Sequence, residues 1–278
     1  MVFGVIGGDR RQAELAGLLE ADGQTVYTHG LERWKATGAG TLEQTAAADV
    51  IILPLPLCKG VGVLNCEEAP IPTIELFRRL RPGQIVLGGQ VNAAQIREAS
   101  SCGLRLQDYF GQEELTVTNA AATAEGAVQV ALEQLDRTLL GMECLVLGFG
   151  RIGKLLSYRL HGMGARVTAT ARKPEDLAWI RAYGWNALHT DDLGCRLTNF
   201  GVVFNTVPSM VLDAPLLEQL PKDCLCIDLA SIRGINLAAA EEMGLRGVWA
   251  RSLPGRLVPR TAAAAIRDTI YYMISVKE

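Results

Sequence analysis

Several kinds of chemistry lack material in this sequence. The seven cysteines, Cys58, Cys66, Cys102, Cys144, Cys195, Cys224 and Cys226, are odd in number and show neither a CxxC pair nor zinc-ligand spacing. They read as reduced thiols, mostly small core residues, and no disulfide framework is expected. Only three histidines occur, His29, His161 and His189, scattered without carboxylate or cysteine neighbours at ligand spacing, so no metal site is expected. A formal net charge of −3 with no long basic tract offers no field to nucleic acid or an anionic membrane. No apolar run reaches the roughly 18 residues of a membrane helix, because Asp49, Pro54 and Pro56 interrupt the most hydrophobic stretch. Met1-Val2-Phe3-Gly4 leads straight into a strand-like segment without a charged n-region or cleavage site, so no secretory leader and a cytoplasmic location are expected.

What is present is enough for two cores: 278 residues, 49% apolar and 21% charged. Short apolar runs at 3–7, 25–27, 50–53 and 84–87 alternate with helical or turn-rich segments, the rhythm of a parallel α/β sheet. Leu115-Thr116-Val117-Thr118 reads as the last strand of this first domain. Val128, Leu132, Leu135 and Leu139 then share one face of a helix over 123–140. The sequence predicts two Rossmann-like or flavodoxin-like parallel-sheet domains with an inter-domain cleft. Residues 1–122 form an N-terminal substrate domain, 123–140 a connecting helix and 141–261 a nucleotide-binding Rossmann domain. A closing helix over 262–278 packs back on the first domain.

The strongest motif lies in the second domain. Gly148-Phe149-Gly150-Arg151-Ile152-Gly153 follows the apolar run Cys144-Leu145-Val146-Leu147 and opens a helix, and a second strand returns over 165–170. A dinucleotide site needs that order: one glycine for the turn, one for pyrophosphate approach, one for close helix packing, and a helix N-terminus facing the phosphates. At the end of the returning strand, NAD sites keep a carboxylate for the ribose 2′-OH, whereas this chain has Arg172-Lys173. Two cations suit a 2′-phosphate, so NADP is the expected cofactor. Thr206, Val207 and Pro208, after a later strand, and Asp228, ending the next, complete the expected cofactor residues.

Loops at strand ends supply candidates for an anionic substrate. Gly7-Gly8-Asp9-Arg10-Arg11-Gln12 combines glycines, a helix-capping Asp and two arginines. Lys59 follows the third strand, Ser231 and Arg233 follow Asp228, and Gly255, Arg256 and Arg260 precede the closing helix. Each of these segments reads equally as a cap, a turn or a solvated charge. Asp9, Glu125 and Asp228 are alternatives for a general base, and none is assigned; the catalytic residues are therefore unknown.

In order and together, several segments resemble the A subunits of dipicolinate synthases across essentially the whole chain. They are the Gly7–Gln12 run, Thr123-Ala124-Glu125-Gly126, the glycine turn, Ala171-Arg172, His189-Thr190-Asp191, Asn205-Thr206-Val207-Pro208-Ser209-Met210, Asp228-Leu229-Ala230-Ser231, and Leu253-Pro254-Gly255 with Pro259 and Thr261. The resemblance implies oxidation of dihydrodipicolinate with NADP as acceptor, a partner in the flavoprotein-like B subunit of dipicolinate synthase, and the mother cell of a spore-forming bacterium as the setting. Two carboxylates on such a substrate ask for cationic or N–H-rich ends of the cleft, and the candidate substrate-binding residues are Gly8, Asp9, Arg10, Arg11, Lys59, Asn119, Thr123, Ser231, Arg233, Gly255, Arg256 and Arg260. Two departures stand out: Ile232-Arg233-Gly234-Ile235 replaces the family's Arg-Pro-Gly-Gly turn, and Arg260 replaces a lysine. The alternatives are a methylenetetrahydrofolate-dehydrogenase-like enzyme and an NADP-binding regulatory or scaffold subunit, and self-association stays open.

Overall fold

The computed structural model describes residues 1–68, 70–194 and 196–276. Cys195, read above as a reduced core thiol, and the last two residues of the closing segment lie outside the described residues. The chain divides into two compact units, Met1–Asn119 with Pro254–Glu278, and Ala120–Leu253.

In the first unit, β1 (Val2–Ile6), α1 (Arg10–Ala21), β2 (Thr25–His29), α2 (Leu42–Ala46), β3 (Val50–Ile52), α3 (Thr73–Arg79), β4 (Ile85–Gly88), α4 (Ala93–Ser101) and β5 (Leu106–Asp108) succeed one another. The sheet is wholly parallel in the order β2-β1-β3-β4-β5, the flavodoxin-like order. Its inner strands β1, β3 and β4 are continuous apolar runs because both faces are covered, whereas the edge strand β2 alternates buried and exposed residues. Phe3, Val5, Val50 and Ile52 face Leu15 and Leu19 of α1 on one side, while Ile6, Ile51 and Val86 face Leu76 and Phe77 of α3 on the other.

A long helix follows, α5 (Glu113–Gln134). The expected strand at 115–118 is part of it, and the helix expected over 123–140 starts and ends earlier. Leu-Thr-Val-Thr alternates like a strand, but two acidic residues, Glu113 and Glu114, favour a helix start immediately before it. The alanine-rich stretch after it propagates the helix through β-branched residues.

The second unit continues with β6 (Glu143–Leu147), α6 (Arg151–Gly162), β7 (Arg166–Ala171), α7 (Pro174–Ala182), β8 (Asn186–His189), β9 (Val202–Asn205), α8 (Ala214–Leu217), β10 (Leu225–Asp228), α9 (Leu237–Glu242) and β11 (Arg246–Trp249). Its strands are parallel in the order β11-β10-β9-β6-β7-β8. Counted within the unit this is 3-2-1-4-5-6 read from the other edge, the Rossmann order, with the switch point between β6 and β9. α10 (Leu253–Leu257) and α11 (Pro259–Ser275) close the chain. In the first unit, Ala263, Ile266 and Ile270 of α11 are buried in the same cluster as Leu15 and Leu19. No helix among the described residues is long and apolar enough to cross a membrane.

Candidate functional site

Because every strand of the second unit runs the same way, the segments after β6, β7, β9, β10 and β11 all emerge at one edge of its sheet. The glycine turn sits at the switch point of that edge. Gly148 has φ +93, which L side chains rarely adopt, and a Cβ there would meet Thr206 Oγ1 and Val207 Cγ2 at 2.7 Å. Gly153 lets the first turn of α6 pack on this backbone: a Cβ would lie 2.1 Å from the Gly148 carbonyl oxygen. Gly150 has neither problem. Its backbone is extended, no side chain caps the helix it begins, and a Cβ there would meet open space. Arg151 is exposed and Ile152 half-buried at the start of α6.

Two side-chain ties hold the turn. Gly148 N–H donates to the buried Thr170 Oγ1 at 3.1 Å, joining the turn to the end of β7. Thr206 Oγ1 donates to Leu147 O at 2.8 Å, joining the end of β9 to β6. One strand from the turn, Arg172 and Lys173 are exposed, and neither side chain has an ion-pair or hydrogen-bond partner among the described residues. Val207 is half-buried and Pro208 exposed beside the turn.

Asp228 has a different task from the cofactor contact expected of it. Its side chain is fully buried. Oδ1 accepts from Asn205 Nδ2 at 2.9 Å and Ala230 N at 3.0 Å, and Oδ2 accepts from Gly234 N at 2.7 Å and Ile235 N at 2.9 Å. Asn205 in turn accepts from Val207 N and donates to Val207 O, both at 3.0 Å. A buried carboxylate is tolerated where hydrogen bonds satisfy it. This one clamps the loops after β9 and β10 together, and it fixes the turn at Ile232-Arg233-Gly234-Ile235.

Beyond that clamp lies a cluster that the sequence motifs do not contain. The Arg233 and Arg251 guanidinium carbons stand 4.3 and 4.4 Å from the centroid of Trp249, whose Nε1 donates to Ala230 O at 2.9 Å. Neither arginine has a carboxylate partner among the described residues. Ser231 is exposed beside them. The available signal was Trp249-Ala250-Arg251 at the end of a strand, but only the strand order shows that it adjoins Arg233.

In the first unit, the Gly7–Gln12 run is a turn and a complete capping box. Gly7 and Gly8 take φ +66 and +110, Arg11 N donates to Asp9 Oδ1 at 2.9 Å, and Asp9 N donates to Gln12 Oε1 at 3.1 Å. Arg11 was expected to receive an anion, but it is buried and already committed. Its Nε and Nη2 donate to Asp9 at 2.9 and 2.7 Å, and Nη2 also donates to Leu55 O. Arg10 is exposed and pairs with Glu14 at 3.4 Å. Gly255 serves close packing, since a Cβ there would lie 3.0 Å from both Arg11 Nε and Asp9 Oδ2. The Gly7–Gln12 run and Gly255 therefore touch within one unit. Tyr109, fully buried, donates to Leu53 O at 3.0 Å, and burial pushes its phenol well above the ordinary range.

Lys59, Arg256 and Arg260 are exposed and carry no ion pair among the described residues. Asn119 and Thr123 lie four residues apart on α5, which places them on one helix face. Of the three alternatives for a base, Asp9 is paired with Arg11, Asp228 is buried among four donors, and Glu125 pairs with Arg159 at 2.8 Å.

Two parallel-sheet α/β units, one built around a dinucleotide-type glycine turn, define a protein of the Rossmann-like α/β class. The fold is shared with an L-alanine dehydrogenase, TM-score 0.65 at 15% identity over 99% of this chain and 89% of that one. More specific matches name one enzyme. Residues 2–110 match the family model for the N-terminal domain of the dipicolinate synthase A subunit. The dipicolinate synthase A subunit of Bacillus subtilis (strain 168) is 28% identical over 283 residues, 98% of this chain and 95% of the relative. The crystal structure of the Bacillus subtilis A chain superposes with TM-score 0.86 at 28% identity, over 99% of this chain and 96% of that one. That of the Bacillus halodurans A subunit gives 0.85 at 25%, over 98% and 97%. The resemblance drawn from the motifs is thereby shown: over nearly its whole length the chain is related to the A subunits of dipicolinate synthases.

Proposed function

We propose that this chain is the NADP-binding oxidoreductase subunit of a dipicolinate synthase, oxidising dihydrodipicolinate to dipicolinate together with a B subunit. One observation carries the reading. A glycine turn with open space at Gly150 stands one strand from two exposed cations, Arg172 and Lys173, that no carboxylate neutralises among the described residues. A pyrophosphate can approach backbone where no side chain stands, and a guanidinium can grip a 2′-phosphate through paired charge-assisted bonds. The residues present therefore fit NADP. Bound there, NADP supplies the hydride acceptor.

The protein's own part is positioning. Oxidation of a dihydropyridine yields an aromatic ring, so the chemistry is favourable and the main demand is orientation. Thr206, Val207 and Pro208, held by the Asn205–Asp228 pair, form a wall beside the glycine turn on the side away from Arg172. Lys59, Arg256, Arg260 and Arg233 carry no ion pair among the described residues, and each is a candidate to bind a substrate carboxylate. No carboxylate among Asp9, Glu125 and Asp228 stands free to take the proton, which supports a contribution from the partner. In a spore-forming bacterium such a pair works in the mother-cell cytoplasm.

Nucleotide titration tests the cofactor. Arg172→Asp should weaken NADP binding by about 1.5–3 kcal/mol and NAD binding much less. Equal losses, or a native preference for NAD, overturn the assignment. With the B subunit present and NADP limiting, NADPH formation should fall in step with NADP affinity when Gly150 is filled in this chain. A scaffold would leave turnover intact.

A further inference from the structure

Arg251 and Trp249 belong to none of the motifs that led to the proposed function, yet they are built into the same sheet edge. Trp249 is half-buried and its position is indirectly fixed. Nε1 donates to Ala230 O, and Ala230 N donates to the buried Asp228, so the ring hangs from the clamp that shapes the loop after β10. Arg233, on that loop, and Arg251, two residues beyond the ring, both lie against it. The residue after Arg251 is Ser252, with φ +55, a left-handed conformation that a non-glycine residue adopts at a cost and that recurs at functional loops.

Two guanidinium groups on one indole repel each other. The ring's electron-rich face attracts each of them, but no carboxylate among the described residues neutralises either one. An anion held between or beside them completes the arrangement, and Arg forks match a carboxylate bidentately. Strand order says which anion. The cations for a nucleotide phosphate lie beyond β7, whereas this stack lies beyond β10 and β11, on the opposite side of the glycine turn. The ends of β7 and β10 are three strand spacings apart, about 14 Å. An anion at the stack is therefore a second molecule, the one that meets the reactive half of the dinucleotide.

We propose that Arg233 and Arg251, aligned by Trp249, form a carboxylate-binding subsite of the second unit, taking one carboxylate of a small planar acid such as a pyridine carboxylate. Arg251 is thus a substrate-binding residue, and Trp249 a positioning residue that acts through both arginines. The choice of acid rests on the proposed oxidation of dihydrodipicolinate, whereas the subsite itself rests on the stack.

Calorimetric titration of the full chain at saturating NADP, with pyridine-2,6-dicarboxylate and pyridine-2-carboxylate as probes, tests it. Arg251→Gln should raise Kd for both acids about tenfold or more, the loss of a charge-assisted contact, and Arg233→Gln with Arg251→Gln should raise it further. NADP affinity and the thermal unfolding midpoint should stay close to wild type, since both side chains are exposed. Arg251→Lys should recover only part of the affinity, because an ammonium lacks the fork. Trp249→Phe should weaken both acids less than Arg251→Gln. Unchanged carboxylate affinity in the double variant, or a wild-type chain that binds neither acid, overturns the subsite. If the acids bind through Arg251 while dihydrodipicolinate yields no NADPH in the presence of the B subunit, the oxidation falls and the subsite stands.

Discussion

Two glycines three residues apart in the same turn should respond in opposite ways to one added methyl group. A Cβ on Gly153 would stand 2.1 Å from the Gly148 carbonyl oxygen and 2.9 Å from its carbon. Both are backbone atoms of a residue pinned at φ +93 and tied to Thr170, so no flexible side-chain end can yield. Relief requires lifting the start of α6, at roughly 2–3 kcal/mol, the upper part of the range for an overpacked core, because the clash is with backbone. Alanine's better helix propensity returns roughly 0.8–1 kcal/mol of that. Gly153→Ala should therefore lose about 1–2 kcal/mol of stability. Gly150 has φ −77, and an added Cβ would find nothing within 4 Å. Gly150→Ala should cost at most about 1 kcal/mol, through a poorer N-cap residue. Its methyl would occupy the space assigned to the pyrophosphate, however, and should weaken NADP binding by about 1–3 kcal/mol. Urea unfolding of both variants, followed by NADP titration, separates the two effects. A Gly150→Ala protein that binds NADP as wild type does would refute the use of this turn for phosphate. A Gly153→Ala protein of unchanged stability would refute the packing argument.

Asp228→Asn should lower stability by about 2–4 kcal/mol in urea unfolding, because the amide NH2 must face two of the four donors that the carboxylate satisfies; an unchanged midpoint would show that the clamp does not bear on folding. Alkali should destabilise the fold through Cys144, whose thiol burial pushes from 9.0 to about 12. Between those values the unfolded chain has released a proton that the folded chain retains. Stability is therefore full below the lower value and falls with rising pH, by about 1.4 kcal/mol per pH unit for this group. Unfolding of wild type and Cys144→Ala across that window should show the shallower slope in the variant.

The strand, glycine turn and helix at 144–158 were legible because Gly148 and Gly153 have steric tasks that few other residues can perform, and the flanking strand and helix follow in the order the motif requires. The helix at 115–118 was not. Its four residues alternate as a strand does, and the helix is imposed from outside them, by acidic residues before and alanines after. Asp228 misled for a different reason. An acidic residue ending a strand beside a dinucleotide motif suggests a ligand contact, but the chain gives no sign that its carboxylate turns inward onto four donors. The Arg233–Trp249–Arg251 stack was out of reach, since it joins the ends of two strands whose adjacency is decided by sheet order.

Which arginines would be free was more readable than the motifs alone suggest. Arg10 has Glu14 one helical turn ahead, and Arg11 has the capping Asp9 two residues behind; both carboxylates take their neighbours. Arg233, Arg251, Arg256 and Arg260 have no acidic residue within four positions on either side, and none of them is neutralised among the described residues. Arg172 is the informative exception, with Glu175 and Asp176 close by in sequence. Pro174 starts α7 between them, and Asp176 lies near Lys154 at 3.9 Å instead. Local sequence thus predicts which cations are spent on their own helix. Where a helix start turns the acids away, as at Arg172, or where the loop carries none, as at Arg233 and Arg251, the positive charge is left at the sheet edge for an anion from outside the chain.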